Sequence, residues 1–178
     1  MRKWNNILVR VIIVLFLLHA FMGSLVLLGL STIAFTPLSF LLLLAVLVHA
    51  ILGIVATCSA WKSGKVSGRW YLRQNAAFWT KRISGLAILL LLGFHVTAYT
   101  INVNGKFFLR EFTFCKMVLQ LLFILAIFIH LFVSIKSMLI AKGVVKFKER
   151  MIDWMLVLSV MTLFFVVAVV AYYIQWQV

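Results

Sequence analysis

The chain consists mainly of long apolar runs separated by short polar stretches. Five of the runs reach the roughly 20 residues that a helix needs to cross the hydrocarbon core of a bilayer. The first run is too long for the apolar core of a secretory signal peptide, so we interpret it as a helix. The pattern predicts an all-α integral membrane protein, a single domain over residues 1–178, with five transmembrane helices at 7–30, 38–60, 82–102, 113–138 and 152–174.

The composition agrees with a lipid environment. Of the 178 residues, 66% are hydrophobic and 11% are charged, which is too apolar for a soluble domain of this size. The single proline, Pro37, falls between two predicted spans, so proline breaks none of the predicted helices.

The distribution of charge predicts how the helices are oriented. Lys and Arg number 17 against three acidic residues, a balance that would suggest nucleic-acid binding in a soluble protein. Here the basic residues gather between the apolar runs, and all but Lys106, Arg110 and Lys116 fall on the side of the N-terminus. The positive-inside rule therefore predicts a cytoplasmic N-terminus and no nucleic-acid partner. The basic connection from Lys62 to Lys81 could hold anionic membrane lipid or dock a cytoplasmic protein.

The four histidines are the main candidates for chemistry, because one lies inside each of the first four apolar runs. An imidazole in hydrocarbon needs a partner in the protein interior. None of these four spans contains Asp or Glu, and the two cysteines lie far apart, so the residues do not resemble a site for a bare metal ion. A haem needs only one imidazole on each face, so four ligands on four helices predict two bis-histidine haems b, with iron bound by His19, His49, His95 and His130.

Depth along the helices restricts which histidines share a haem. His95 lies seven residues before Asn102 and His130 six residues before Lys136, toward opposite faces, so these two cannot share one. His19 and His49 fall near the middle of their runs, and depth does not choose their partners.

Small residues beside the histidines leave room for a flat ligand. Gly23 and Gly53 each follow a histidine by four residues, on the same helical face. The competing interpretation is that each histidine hydrogen-bonds a neighbouring helix and that the small residues serve close helix packing.

With these residues the chain resembles the diheme cytochrome b subunit of succinate:quinone oxidoreductases, the five-helix membrane anchor of succinate dehydrogenases and fumarate reductases. The resemblance covers essentially the whole chain. It is carried by the four spaced histidines, by the run Phe78-Trp79-Thr80-Lys81-Arg82-Ile83-Ser84-Gly85 ten residues before His95, and by Gly143 thirteen residues after His130.

The resemblance implies a four-helix haem-binding bundle within the five helices. It implies that His19 and His95 bind an outer haem, and that His49 and His130 bind an inner one. It also implies that propionates of the inner haem lie near the cytoplasmic ends of helices, where this chain offers Asn5, Asn6, Trp79, Arg82, Lys136 and Lys142, with Arg82 and Lys142 as the preferred pair.

The implied activity is electron transfer between a membrane quinone, menaquinone by the same resemblance, and two cytoplasmic partners. These partners are an iron–sulfur subunit and an FAD-containing flavoprotein, which performs the succinate/fumarate chemistry. The chain itself would hold no catalytic acid or base for the dicarboxylate. The implied location is the bacterial cytoplasmic (inner) membrane, with a multi-pass topology.

One departure from the family concerns protons and quinone. Some members carry buried glutamates, whereas Phe128 and Ile129 precede His130 here, so a proton path through a glutamate is not expected. Candidate quinone contacts are Tyr99, Asn102, Asn104 and Glu111 near the outer haem, or Trp79, Arg82 and Ser84 near the inner one.

Three alternatives remain open from the sequence. Another quinone-linked oxidoreductase, such as a nitrate reductase or hydrogenase, could use a diheme anchor, although those tend to place two histidines on one helix. A haem-free transporter or assembly factor should show broken helices or charged spans. An anchor that has lost its haems would not be expected to keep all four histidines.

Overall fold

The computed structural model of the chain describes residues 2–33, 36–67, 75–103, 106–109, 111–141, 143 and 148–178. Its elements are α1 (Arg2–Leu27), α2 (Thr36–Ser67), α3 (Ala76–Ala98), β1 (Thr100–Val103), β2 (Lys106–Leu109), α4 (Phe114–Ala141) and α5 (Lys148–Gln175). All five helices are long and apolar enough to cross a membrane. The predicted five transmembrane helices are therefore confirmed in number and kind, and the chain is a multi-pass membrane protein.

The helices expose many of their large apolar side chains. On α1 the exposed residues recur every three or four positions along one stripe: Ile7, Val11, Val14, Leu18 and Phe21. In lipid such a stripe carries no penalty, while every backbone N–H and C=O must be paired within the chain, and a continuous helix does this. Apolar exposure and long unbroken helices therefore have the same cause.

The helix boundaries differ from the predicted spans, most of all at the end of α2 and the start of α3. The second helix continues to Ser67 and the third begins at Ala76 and ends at Ala98, so both described ends of the Lys62–Lys81 connection are helical. Apolar run length locates the hydrocarbon, but aromatic and basic side chains at the interface can extend a helix beyond it. Pro37 lies in the first turn of α2, where proline costs no hydrogen bond.

A short hairpin between α3 and α4 was not predicted. Strands β1 and β2 pair antiparallel, with Ile101 opposite Phe108 and Val103 opposite Lys106. The two intervening residues read Asn-Gly, the dipeptide most typical of two-residue hairpins. The Asn-Gly dipeptide is a sequence signal for a hairpin, but the length of apolar runs, on which the prediction rested, does not detect it.

The chain divides into two compact units, Met1–Ala76 and Ala77–Val178. The single-domain interpretation stays a prediction. In the first unit α1 packs on α2. Helix α1 ends in a Schellman motif: Gly29 has a φ of 72°, its N–H bonds the Val26 carbonyl at 3.0 Å, and Leu30 N–H bonds the Leu25 carbonyl at 2.9 Å. Only glycine adopts this conformation without strain, so the turn into α2 is tight.

In the second unit α4 packs on α5, and side-chain hydrogen bonds join α3 to α4. Thr113 caps α4 by accepting the Lys116 N–H at 3.4 Å. Gly143, at a φ of 65°, donates to the Ile140 carbonyl at 3.0 Å just beyond the end of α4. This glycine of the family-like pattern thus has a local role in ending a helix.

Candidate functional site

The four histidines lie one on each of α1, α2, α3 and α4, and all four are half-buried. Each is flanked on both sides by apolar residues of its own helix. The histidines of α1 and α2 belong to the first unit, and those of α3 and α4 to the second. Each unit can be described by the contacts of its own pair.

His95, on α3, is held by a buried amide of α4. Its Nδ1 lies 2.8 Å from Oε1 of Gln120, a residue that is 2% exposed. A carbonyl oxygen can only accept, so Nδ1 carries the proton and Nε2 keeps its lone pair. The ring of Phe123 lies 4.8 Å from the imidazole, centroid to centroid. Gln120 did not appear among the sequence candidates, although an amide six residues into an apolar helix is itself a signal of an interior role.

His130, on α4, is held by a hydroxyl of α3. Its Nδ1 lies 3.1 Å from Ser84 Oγ, and that hydroxyl donates to the Thr80 carbonyl at 2.7 Å. Because the single hydroxyl proton is directed to Thr80, Ser84 accepts from the imidazole, and His130 carries its proton on Nδ1. Nε2 is again the nitrogen with a lone pair.

Gly85 lies against the face of the His130 imidazole. A Cβ at this position would be 3.4 Å from Cε1 and 3.7 Å from Nδ1 of the ring. The glycine of the family-like run therefore borders the histidine directly, which the sequence spacing alone could not show.

In the first unit, His19 Nδ1 lies 3.1 Å from Ser39 Oγ on α2. His49 lies on α2 ten residues beyond Ser39. At 1.5 Å per residue, the level of His49 is about 15 Å from that of His19 along the helix pair. Sequence depth left these two histidines undifferentiated, whereas the Ser39 contact separates them.

The second unit has the same spacing. Ser84, which touches His130, precedes His95 by eleven residues on α3, and Gln120, which touches His95, precedes His130 by ten on α4. The two imidazoles are therefore about 15 Å apart along the helices, too far to sit on opposite faces of one iron atom. The pairing of His19 with His95 and of His49 with His130 stays a prediction.

The residues around the His130 level form what we call the basic end of the second unit. Lys81 Nζ donates to Ser137 Oγ at 3.5 Å, and the Arg82 guanidinium lies 4.9 Å from the centre of the Phe78 ring. Arg82 Nε is buried, and within the described residues it has no hydrogen-bond partner. Trp79 is half-buried and lies edge-on to Phe78. Lys142 lies outside the described residues.

The residues around the His95 level form the aromatic end. Tyr99 stacks on Phe112 at 5.2 Å, and Tyr172 meets both rings at 5.8 and 5.1 Å. Phe112 is completely buried. Burial, and secondarily the Tyr172 phenol, raise the pKa of Tyr99 above its usual value. Tyr99 is thus a packed, neutral side chain.

Three further quinone candidates were predicted near His95: Asn102, Asn104 and Glu111. Glu111 is exposed, and its carbonyl accepts from the Lys116 ammonium. The side chain of Asn102 and all of Asn104 lie outside what the structure describes. None of these residues is brought to His95 by a described contact.

The small residues near the histidines fall into two groups. Ala98 and Ala126 are buried, so their size serves packing within the second unit. At Gly23 an added Cβ would meet no atom within 4 Å among the described residues. Packing of α1 on α2 therefore does not require a glycine at this position.

The protonation of the second unit's histidines suits axial ligands of a haem, because Nδ1 carries the proton in each. Haem iron takes one imidazole on each face, and His95 and His130 would each supply one ligand of a separate haem. The buried Arg82 Nε is a donor suited to a propionate.

No protein-family model, curated protein or solved structure matches the chain. The resemblance to diheme anchors therefore rests on the sequence motifs.

Proposed function

We propose that this protein is the diheme cytochrome b anchor subunit of a succinate dehydrogenase or fumarate reductase. The observation that carries the proposal is one half-buried histidine on each of four membrane-spanning helices, with the two histidines of each unit about 15 Å apart along the helices. Two levels of imidazole are what two haems placed one above the other across a bilayer require.

The alternation of spanning helices supports the proposed pairing. If each helix crosses the bilayer, the α1–α2 and α3–α4 connections lie on the same side of the membrane. His19 and His95 are the histidines nearer those connections, and His49 and His130 are the farther ones. This supports His19 with His95 at one haem and His49 with His130 at the other.

Each group has a defined task in this proposal. A haem b, when bound between two imidazoles, carries one electron at a time. Gln120 and Ser84 would hold the rings of His95 and His130 with the proton on Nδ1, so that Nε2 would be the iron-binding nitrogen. Arg82, with Trp79 beside it and Lys142 as a further cation, would neutralise and hold the propionates of the inner haem.

The reaction proposed for the complex passes electrons between a quinone in the membrane, menaquinone by resemblance, and an iron–sulfur subunit bound to an FAD-containing flavoprotein. The positive-inside bias supports docking of these subunits on the side of the N-terminus and in a bacterial cytoplasmic membrane. This chain contributes quinone redox and no residue for dicarboxylate chemistry.

A second candidate is supported by the same hydrogen bonds. His19, His95 and His130 each bond a polar side chain of a neighbouring helix, as histidines that only join helices would do. A haem-free transporter or assembly factor would fit this. The unbroken described helices speak against a transporter with discontinuous helices.

The test is a reduced-minus-oxidised optical spectrum of the purified full chain, with haem quantified against protein. Two haems b per chain are expected. A preparation from haem-sufficient cells that contains no haem would overturn the proposal and leave the helix-joining role.

A further inference from the structure

We infer that Gln120 and Ser84 are reciprocal positioning residues, each of which fixes the proton of the other helix's haem ligand on Nδ1 and so sets the electron donation of that imidazole to iron. The inference rests on the proposed haem-binding function. It goes further by naming two residues that touch the ligands and by stating what each controls.

Gln120 is buried, and its side chain is hydrogen-bonded to His95. Its side chain is 98% buried, and the bond from Oε1 to His95 Nδ1, at 2.8 Å, is short for a neutral pair. In the described residues its own amide nitrogen has no hydrogen-bond partner, so the buried amide is satisfied only through the histidine. Burying an unpaired donor destabilises the fold, and an apolar residue would avoid that penalty in a helix that needed only packing.

Rotating the Gln120 amide by half a turn would present N–H to Nδ1 instead. His95 would then carry its proton on Nε2 and could not bind iron through that atom. The placement of the carbonyl toward the ring is therefore the placement that favours a metal ligand.

Ser84 also holds the proton of its histidine on Nδ1, through two successive hydrogen bonds. Its hydroxyl donates to the Thr80 carbonyl at 2.7 Å and accepts from His130 Nδ1 at 3.1 Å. The backbone carbonyl thus directs the serine proton away from the ring, and the ring must donate. The adjacent Gly85 keeps the face of the imidazole clear of any side chain.

Each of the two helices supplies the hydrogen-bond partner for the histidine of the other. Helix α3 carries His95 and supplies Ser84, while α4 carries His130 and supplies Gln120. A partner that accepts the Nδ1 proton makes the imidazole a stronger donor to iron and stabilises the oxidised state. Each substitution should therefore change the potential of one haem and leave the other unchanged.

The test is a redox titration of the full haem-loaded protein, followed optically and by the EPR signals of the oxidised haems. In Gln120→Leu the potential of the haem bound by His95 should rise, and in Ser84→Ala that of the haem bound by His130. Gln120→Glu retains the hydrogen-bond acceptor and adds a negative charge, so the potential of the haem bound by His95 should fall below its wild-type value. Haem retention in the two non-bonding variants should weaken about tenfold to a hundredfold.

The control is Thr162→Val, which removes a hydroxyl bonded only within α5. Both potentials should be unchanged in it. Haem-loaded wild type with unchanged potentials in Gln120→Leu and Ser84→Ala would overturn this inference alone. Absence of haem from the wild type would overturn the proposed function itself. Equal loss of both haems from Gln120→Leu and Gln120→Glu would overturn the positioning role in favour of packing.

Discussion

The basic end and the aromatic end of the second unit present similar imidazoles in very different surroundings. At the basic end His130 is bonded to Ser84, and Lys81, Arg82 and Ser137 lie within two helical turns of one of these two residues along the chain. At the aromatic end His95 is bonded to Gln120 and lies among Phe123 and Tyr99. The basic end can therefore pair with negative charge, whereas the aromatic end surrounds its imidazole with packed rings.

The difference suggests a division of roles along one helix pair. Cations at the basic end can compensate propionates and favour a partner on the side with most positive charge. The aromatic end has no described cation beside the imidazole, so its haem would be held by ligation and packing. Breaking one end should therefore leave the other intact.

The largest expected effect comes from removing a ligand. His130→Ala or His49→Ala should remove one haem, and His95→Ala or His19→Ala the other, so each variant keeps about half of the bound haem. Haem-to-protein ratios with redox titration of the remaining haem would identify which one is lost. Loss of both haems in all four variants would contradict the independence of the two ends.

A smaller effect is expected from Arg82→Gln, which removes the buried charged donor at the basic end. Hydrogen bonds to charged groups contribute about 1.5–3 kcal/mol, so loss of the inner haem to a haem-scavenging protein should become about tenfold to a hundredfold more favourable. The matched control is Lys62→Gln, a cation on α2 that is exposed. Equal effects in the two variants would mean that only overall charge matters.

Gly85→Ala should perturb the basic end more subtly. The new methyl group would lie in contact with the His130 ring at 3.4 Å, so the ring can turn less freely beside Ser84. The EPR signal of the haem bound by His130 should shift with little loss of haem. Gly93→Ala is the control, since a Cβ there meets no atom within 4 Å in the described residues. A shift of the other haem's signal would contradict the assignment of Gly85 to His130.

The smallest effect concerns protonation at the aromatic end. Because burial raises the pKa of Tyr99, its phenol stays neutral in the folded protein where exposed tyrosines ionise, near pH 10. The unfolded chain loses that proton first, so the stability due to Tyr99 is present below about pH 10 and is lost as the pH rises further. Tyr99→Phe should leave the tyrosinate absorbance of the folded protein unchanged up to about pH 11. A decrease in that absorbance would show that Tyr99 is open to solvent.

Much of the fold was predictable because lipid imposes a simple length rule. Five apolar runs of spanning length gave five helices. The ends of α2 and α3 were missed because caps, interfacial aromatics and backbone pairing decide where a helix stops. The hairpin after α3 was missed because its signal is strand alternation around Asn-Gly, not hydrophobic length.

Less of the candidate site was predictable. The histidines could be chosen from their one-per-helix placement, and Ser84 from its place in the family-like run. Ser39 and Gln120 could not be assigned, because their roles depend on the register between antiparallel helices, which apolar surfaces leave open. The glycine at position 85 could be noted, but its contact with His130 required coordinates.

The tight turn after α1 bears on how the protein is made. Under the proposed pairing the haem of His19 and His95 cannot be ligated on both faces until α3 has been synthesised, and the haem of His49 and His130 cannot be until α4 has been synthesised. The first unit must therefore persist in the membrane without cofactor while the ribosome completes the rest. The Schellman motif at Gly29 and the His19–Ser39 bond let α1 and α2 do so as a preassembled helical hairpin, which makes cofactor insertion a late event in biogenesis.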